Sequence, residues 1–114
     1  MKFAGDLTLT TAVASQQDQV QPQDYELSAN YPNPFNPSTI ISYQLPEVSN
    51  VTIKVYDRIG REITTLVNKR QQTGRYQVRF DASGLSSGVY FYRLVASGKA
   101  GQRFVQTRKF SLLK

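Results

Sequence analysis

From Ile40 onward, apolar and polar residues alternate in short runs separated by turn-forming residues. Ile41, Tyr43 and Leu45 share one face of an extended segment that ends at Pro46. Val51, Ile53 and Val55 share one face of the next, with Lys54 opposite. A period of two marks strands that bury one face and wet the other. The second run stops at Asp57-Arg58-Ile59-Gly60, where Gly60 is the expected residue of positive φ in a hairpin. Residues 61–68 read as the return strand. Ile63, Leu66 and Val67 break strict alternation there, which predicts a bulge or an early stop, and residues 69–73 read as a polar loop.

The cleanest half-buried strand follows, with Tyr76, Val78 and Phe80 alternating with Gln77 and Arg79. Residues 81–88 form a polar connection with one apolar anchor, Leu85. Residues 89–97 are apolar or aromatic on both faces until Arg93, as expected of a central strand. Residues 98–101 are a hairpin turn, and residues 103–113 are the last strand. In that strand Val105 suits one face while Phe110 and Leu112 suit the other, so a bulge is expected near Thr107-Arg108. No stretch carries a helical period. The predicted class is all-β, an antiparallel β-sandwich of about seven strands.

Upstream lies the run Tyr31-Pro-Asn-Pro-Phe-Asn-Pro-Ser-Thr39. Pro32, Pro34 and Pro37 each fix their own φ, remove a donor and push the preceding residue out of the helical region. The run therefore reads as a rigid, extended lead into the first long strand, with Phe35 a plug for one end of the sandwich. Residues 15–26 are rich in Gln and Asp and bury too little to order themselves, so they read as a linker. Residues 1–14 alternate weakly and suit a single strand or the remnant of a preceding domain. The folded domain is placed at residues 27–114.

Composition narrows the chemistry. In 114 residues there is room for one core, and there is neither Cys nor His. That removes disulfides, thiolate sites and the commonest general base and metal ligand. No metal, cofactor or catalytic group is expected. Asp57 and Asp81 could do acid/base work only if the fold brought them to one cleft; each sits at a strand end, where an Asp typically accepts turn N–H bonds. Ser86-Ser87-Gly88 resembles part of a phosphate loop, but no helix follows. Residues 1–50 hold Lys2 against five carboxylates, whereas residues 51–114 hold thirteen Lys or Arg against Asp57, Glu62 and Asp81. A basic folded part favours acidic partners, although alternating strands need such residues on their wet side in any case. Gly88-Val-Tyr-Phe-Tyr is similar to the aromatic strand of RNA-recognition sheets; the helices of that fold are missing, so no nucleic-acid partner is expected. No stretch is apolar and long enough for a transmembrane helix. Met1-Lys2 and Ala12–Ser15 imitate the ends of a secretory signal, but Asp6 interrupts the apolar middle, so any export signal is expected in a longer precursor.

The Pro/Asn run, Ile-Ile-Ser-Tyr-Gln-Leu-Pro46, Val-Thr-Ile-Lys-Val-Tyr-Asp57 with Gly60-Arg61, and Leu85-Ser-Ser-Gly-Val-Tyr-Phe-Tyr-Arg-Leu94 close to Leu112-Leu113-Lys114 together resemble the C-terminal sorting domain of the bacterial type IX (Por) secretion system. The resemblance implies an immunoglobulin-like sandwich without catalysis. It implies a C-terminal address that carries an N-terminal cargo through the periplasm and outer membrane to the cell surface or medium. Its partners would be the type IX machinery and a sortase-like peptidase that attaches cargo to lipopolysaccharide. The residues it marks are Pro32, Pro34, Phe35, Pro37, Asp57, Gly60, Gly88, Tyr90, Lys109, Phe110, Leu112 and Lys114. A related immunoglobulin-like module of flagellar hook-cap proteins shares the Asn-Pro-Phe-Asn-Pro and Ser-Gly-Val-Tyr segments. That module usually carries a longer connection before Gly88, and the short one here favours the sorting domain. A carbohydrate-binding module would instead need a flat row of exposed Tyr.

Overall fold

A computed structural model describes residues 22–99 and 101–113. The expected strand at residues 1–14, most of the expected linker and Lys114 lie outside the described residues. The chain order is β1 (Glu26–Leu27), β2 (Ser38–Leu45), β3 (Ser49–Asp57), β4 (Glu62–Gln71), β5 (Gly74–Asp81), β6 (Gly88–Gly98) and β7 (Arg103–Leu112). They form a three-stranded sheet, β1-β2-β5, and a four-stranded sheet, β4-β3-β6-β7, antiparallel throughout. The all-β sandwich expected from the alternation is what forms.

The core lies where the two inner faces meet. Ile41, Tyr43 and Leu45 of β2 are buried against Val51, Ile53 and Val55 of β3 and Tyr92 and Leu94 of β6. Burying each such side chain stabilises the fold by roughly 1.5–3 kcal/mol. Tyr92 carries a hydroxyl into this interior and donates it to Ser28 O at 2.7 Å; burial pushes its phenol pKa up. The β3–β4 hairpin turns at Gly60, with φ at 92°.

Several local expectations shift. β4 continues through Gln71, so residues 69–71 are strand rather than loop; their side chains are wet, but Ser49, Asn50 and Val51 pair with them. The irregularity expected in the return strand is present as register shifts opposite Ile53/Lys54 and Val55/Tyr56. β6 is central in hydrogen bonding but buried on one face only, because none of the described residues forms a layer outside the four-stranded sheet: Tyr90, Tyr92, Leu94 and Ala96 point in, while Val89 and Arg93 are exposed. β7 has no bulge near Thr107. Its register against β6 runs unbroken from Arg103 to Leu112, which places Arg108 on the inward side and leaves Val105 half-exposed at 50%. Arg108 is tolerated because it lies at the rim, where its Nε donates to Leu27 O at 2.6 Å.

Residues just before Leu27 also pack on the sandwich. Tyr25 stacks on Phe104 with centroids 5.4 Å apart and its hydroxyl lies 2.8 Å from Ser49 Oγ. Asp24 O accepts a bond from Gln44 Nε2.

Candidate recognition site at one end of the sandwich

Of the residues marked by the sequence, Phe35, Asp57, Gly60, Gly88, Tyr90, Phe110 and Leu112 lie at the end of the sandwich where β3 and β7 finish and β6 begins, and Lys114 lies outside the described residues. Asp57 pairs with Tyr90 across β3 and β6, and Gly88 pairs with Leu112 across β6 and β7. Phe35 then bridges Leu112 in parallel.

The Pro/Asn segment does not run straight. It bends, its Tyr31–Pro32, Asn33–Pro34 and Asn36–Pro37 peptide bonds are cis, and it touches both sheets in turn. Tyr31 bridges Ile40 of β2, Phe35 reaches β7, and the chain returns to start β2. An uninterrupted extended run would have stayed on one sheet. Three prolines remove three donors from this backbone, and bonds to β7 hold the rest of it in place. Phe35 N–H donates to Ser111 O at 3.1 Å, Leu113 N–H donates to Phe35 O at 2.9 Å, and Ser111 N–H donates to Asn33 Oδ1 at 3.0 Å.

Phe35 fills the end of the core as expected. It is 2% exposed and its ring stands edge-on to Phe110 with centroids 5.0 Å apart. Phe80, Tyr90 and Tyr92 complete the aromatic group around Phe110. Tyr90 also donates its hydroxyl to Ser86 O at 2.5 Å, fastening the connection that leads into β6.

Asp57 shapes the neighbouring turn. Its Oδ1 accepts from Ile59 N–H at 3.0 Å and Arg61 N–H at 2.9 Å, and its Oδ2 accepts from Arg61 Nε at 2.8 Å. The Arg61 backbone bond, followed by the Arg61 guanidinium and the Ile59 N–H, holds this carboxyl below its usual range despite some desolvation. A carboxylate so bound is a poor proton acceptor. Asp81, at the end of β5 in the other sheet, accepts from Ser83 N–H at 2.9 Å. Each Asp serves its own turn, and among the described residues no group of three or more His, Cys, Asp or Glu could hold a metal ion.

Around this turn lies an open hollow of about 520 Å³ lined by Asp57, Arg58, Arg61, Gly88 and Tyr90. Pro32 and Pro34 are exposed at the same end. Lys109 is exposed on β7 opposite Phe91. Among the described residues Tyr31 is the one fully exposed Tyr, so the flat row that a carbohydrate-binding module needs is missing from them.

Sequence reasoning missed a buried polar knot beneath the prolines. Asn30 is 4% exposed and Thr39 1% exposed. Asn30 Nδ2 donates to Pro32 O and to Thr39 Oγ1, and Thr39 donates to Pro32 O at 2.9 Å. The signal was in the sequence: a carbonyl ahead of a donor-poor proline run needs side-chain donors.

A family model described as "Secretion system C-terminal sorting domain" matches residues 29–107. No curated protein sequence matches the chain. Among solved structures, dimeric latent PorU from Porphyromonas gingivalis is similar with a TM-score of 0.63 and 19% identity, over 82% of this chain and 10% of that one. CopC from Methylosinus trichosporium OB3b is similar with a TM-score of 0.54 and 15% identity, over 78% of this chain and 93% of that one. At such identities these two share the fold. The chain spans about a tenth of the PorU chain.

Proposed function

The chain belongs to the family of secretion-system C-terminal sorting domains, and from that premise we propose that the end of the sandwich built by the Pro/Asn segment and β7 is the surface the export machinery reads. The domain is a non-catalytic sorting signal of type IX secretion, and the destination such a signal implies is the outer membrane or cell surface. Beyond that family role, the reading is as follows. A cargo precedes the domain in a longer precursor, with residues 15–21 as part of the tether. Pro32, Pro34, Pro37, Lys109 and Lys114 supply the contacts. Phe35, Tyr90, Phe110 and Leu112 hold that surface in shape, and Asp57, Gly60 and Gly88 set the adjoining turn and strand start. A sortase-like peptidase then separates cargo from address. The domain itself performs no chemistry and binds no cofactor.

The observation that supports this most is the backbone clasp of Phe35 on Ser111 and Leu113. The segment that opens the domain and the strand that closes it form one surface, which exists only once the whole domain has folded. A signal of this construction reports that folding is complete.

The test is export of a periplasm-targeted reporter fused ahead of the domain in a bacterium with type IX secretion. The wild-type fusion should reach the surface or medium. Lys109→Glu combined with Lys114→Glu should retain the fold but lower export, and removal of residues 110–114 should leave the reporter in the periplasm. Export of the truncated fusion at wild-type level would refute the role of β7. An intact fusion that stays in the periplasm would favour the hook-cap-like or carbohydrate-binding reading.

A further inference from the structure

We propose that the free edge of β7 is a strand-addition site for an extended acidic segment of a partner protein. β7 borders the four-stranded sheet and pairs with β6 on one side only. Backbone groups along a strand point alternately to its two sides. Ser111 and Leu113 turn their backbone groups away from β6, since both bond to the segment at Asn33 and Phe35; Gln102 turns toward β6, since its carbonyl accepts from Gly98 N–H. With the register unbroken between these points, Arg103, Val105, Thr107 and Lys109 aim their N–H and C=O groups outward. Among the described residues, no backbone bond is made to those groups.

Natural sheets usually blunt such an edge with a bulge, a proline or brevity. β4, at the opposite edge, has register shifts. β7 is ten residues long and regular, without bulge or proline, and is guarded by charge alone, Arg103 and Lys109 outward and Arg108 inward, which repels a like edge and not an acidic strand. Moreover, the chain itself already adds a backbone segment to this edge, in parallel, where Phe35 bridges Leu112. The geometry of the edge therefore admits a further strand, and that added segment ends short of Lys109.

Charge selects the occupant. The exposed side chains beside the free groups are Arg103, Val105, Thr107 and Lys109, and Arg93 is exposed on the adjoining strand. Neither β6 nor β7 contains a carboxylate. A second copy pairing through the same edge would bring together two strands that carry only positive charge, which cross-strand repulsion disfavours. An incoming strand with carboxylates opposite Arg103 and Lys109 and a β-branched residue opposite Val105 satisfies all three positions. Main-chain bonds would supply affinity and these side chains the selection, as in other strand-addition complexes. This site runs along β7 before Phe110 and shares only Lys109 with the surface assigned to export, so Arg103 and Val105 test it separately.

The probe is a blocked peptide, Glu-Ser-Thr-Ser-Val-Ser-Glu, titrated into the full 114-residue chain and followed by amide NMR and hydrogen exchange. The amides of Arg103, Val105, Thr107 and Lys109 should shift and exchange several-fold more slowly. The charge-reversed peptide with Lys at both ends should bind about tenfold more weakly. Val105→Pro removes one outward donor at an edge position where proline is accommodated, and it should weaken binding by at least about tenfold while Val105→Thr does not. Should the proline variant fail to fold, N-methylation of the peptide on its pairing side should abolish binding to the wild-type chain. Equal binding of both peptides, indifference to N-methylation, or shifts confined to Arg75 and Arg79 on the other sheet would overturn the proposal. Protection of the same amides that grows with protein concentration alone would assign the edge to a second copy, and would overturn it too.

Discussion

Phe35 and Leu112, from opposite ends of the folded domain, are held side by side by a parallel β-bridge, and both side chains are buried, at 2% and 1% exposure. Around them Phe110 contacts Phe35, Phe80, Tyr90 and Tyr92. The end of β7 is thus part of the core as well as of the surface. Phe110→Ala should cost about 3–5 kcal/mol, a large share of the roughly 5–15 kcal/mol that holds a typical domain together. Urea denaturation measures it. A loss below about 1 kcal/mol would mean that the aromatic group is not the keystone of this end.

Asn33 tests the clasp without touching the core. Its side-chain carbonyl caps the Ser111 N–H, and the residue is exposed. Asn33→Ala should therefore lower stability by only about 0.5–1.5 kcal/mol, while exchange of the Ser111 amide accelerates markedly more than that of the Tyr92 amide. Equal acceleration at both would show global destabilisation instead of local opening.

How much of this could be read beforehand follows from what strand periodicity encodes. Alternation located β2, β3 and β5 and named the apolar residues they turn inward, though not the buried Thr39 and Ser49, because side-chain direction in a strand is fixed by parity. It failed at β7, where Arg108 sits inward and Val105 outward. Hydrophobicity alone could not tell a rim position, open to a charged head that finds Leu27 O, from a bulge. β6 misled for a related reason: its outer apolar residues suggested cover on both faces, but cover is supplied by other elements and is not written in the strand itself. At the site, Phe35 and the Asp57 turn were legible from local chemistry. The meeting of Asn33 with Ser111 was not, since pairing between distant segments depends on the topology of the whole sandwich.

The Asp57 turn predicts a pH dependence. Its folded carboxyl has a lowered pKa, chiefly through the Arg61 backbone bond. A depressed folded pKa stabilises the fold above the unfolded value, and that contribution is lost as pH falls through the folded value. The unfolded reference is 3.8. Stability from this group should therefore be complete near neutrality and decline below about pH 4. Asp57→Asn should be less stable than wild type at pH 7 and should show a shallower decline in acid. Thermal melts from pH 7 down to pH 2 give the comparison, and parallel curves would rule out Asp57 as a source of the acid sensitivity.

The buried knot beneath the prolines makes the last prediction. Thr39 is 1% exposed; its hydroxyl donates to Pro32 O and accepts from Asn30 Nδ2. Among the described residues Asn30 Oδ1 is buried without a hydrogen-bond partner. Thr39→Val preserves shape and β-branching while deleting both bonds, and leaves Asn30 Nδ2 with Pro32 O alone. A buried polar group stripped of a partner costs about 1–3 kcal/mol. The same substitution at Thr52, half-buried on the wet face of β3, should change stability by less than about 0.5 kcal/mol. Urea denaturation of the two variants side by side separates the hydroxyl's role from any general preference for Val in a strand. Equal effects at the two sites would show that the knot merely fills space, and that the shape of the Pro/Asn segment rests on Phe35 and its backbone clasp instead.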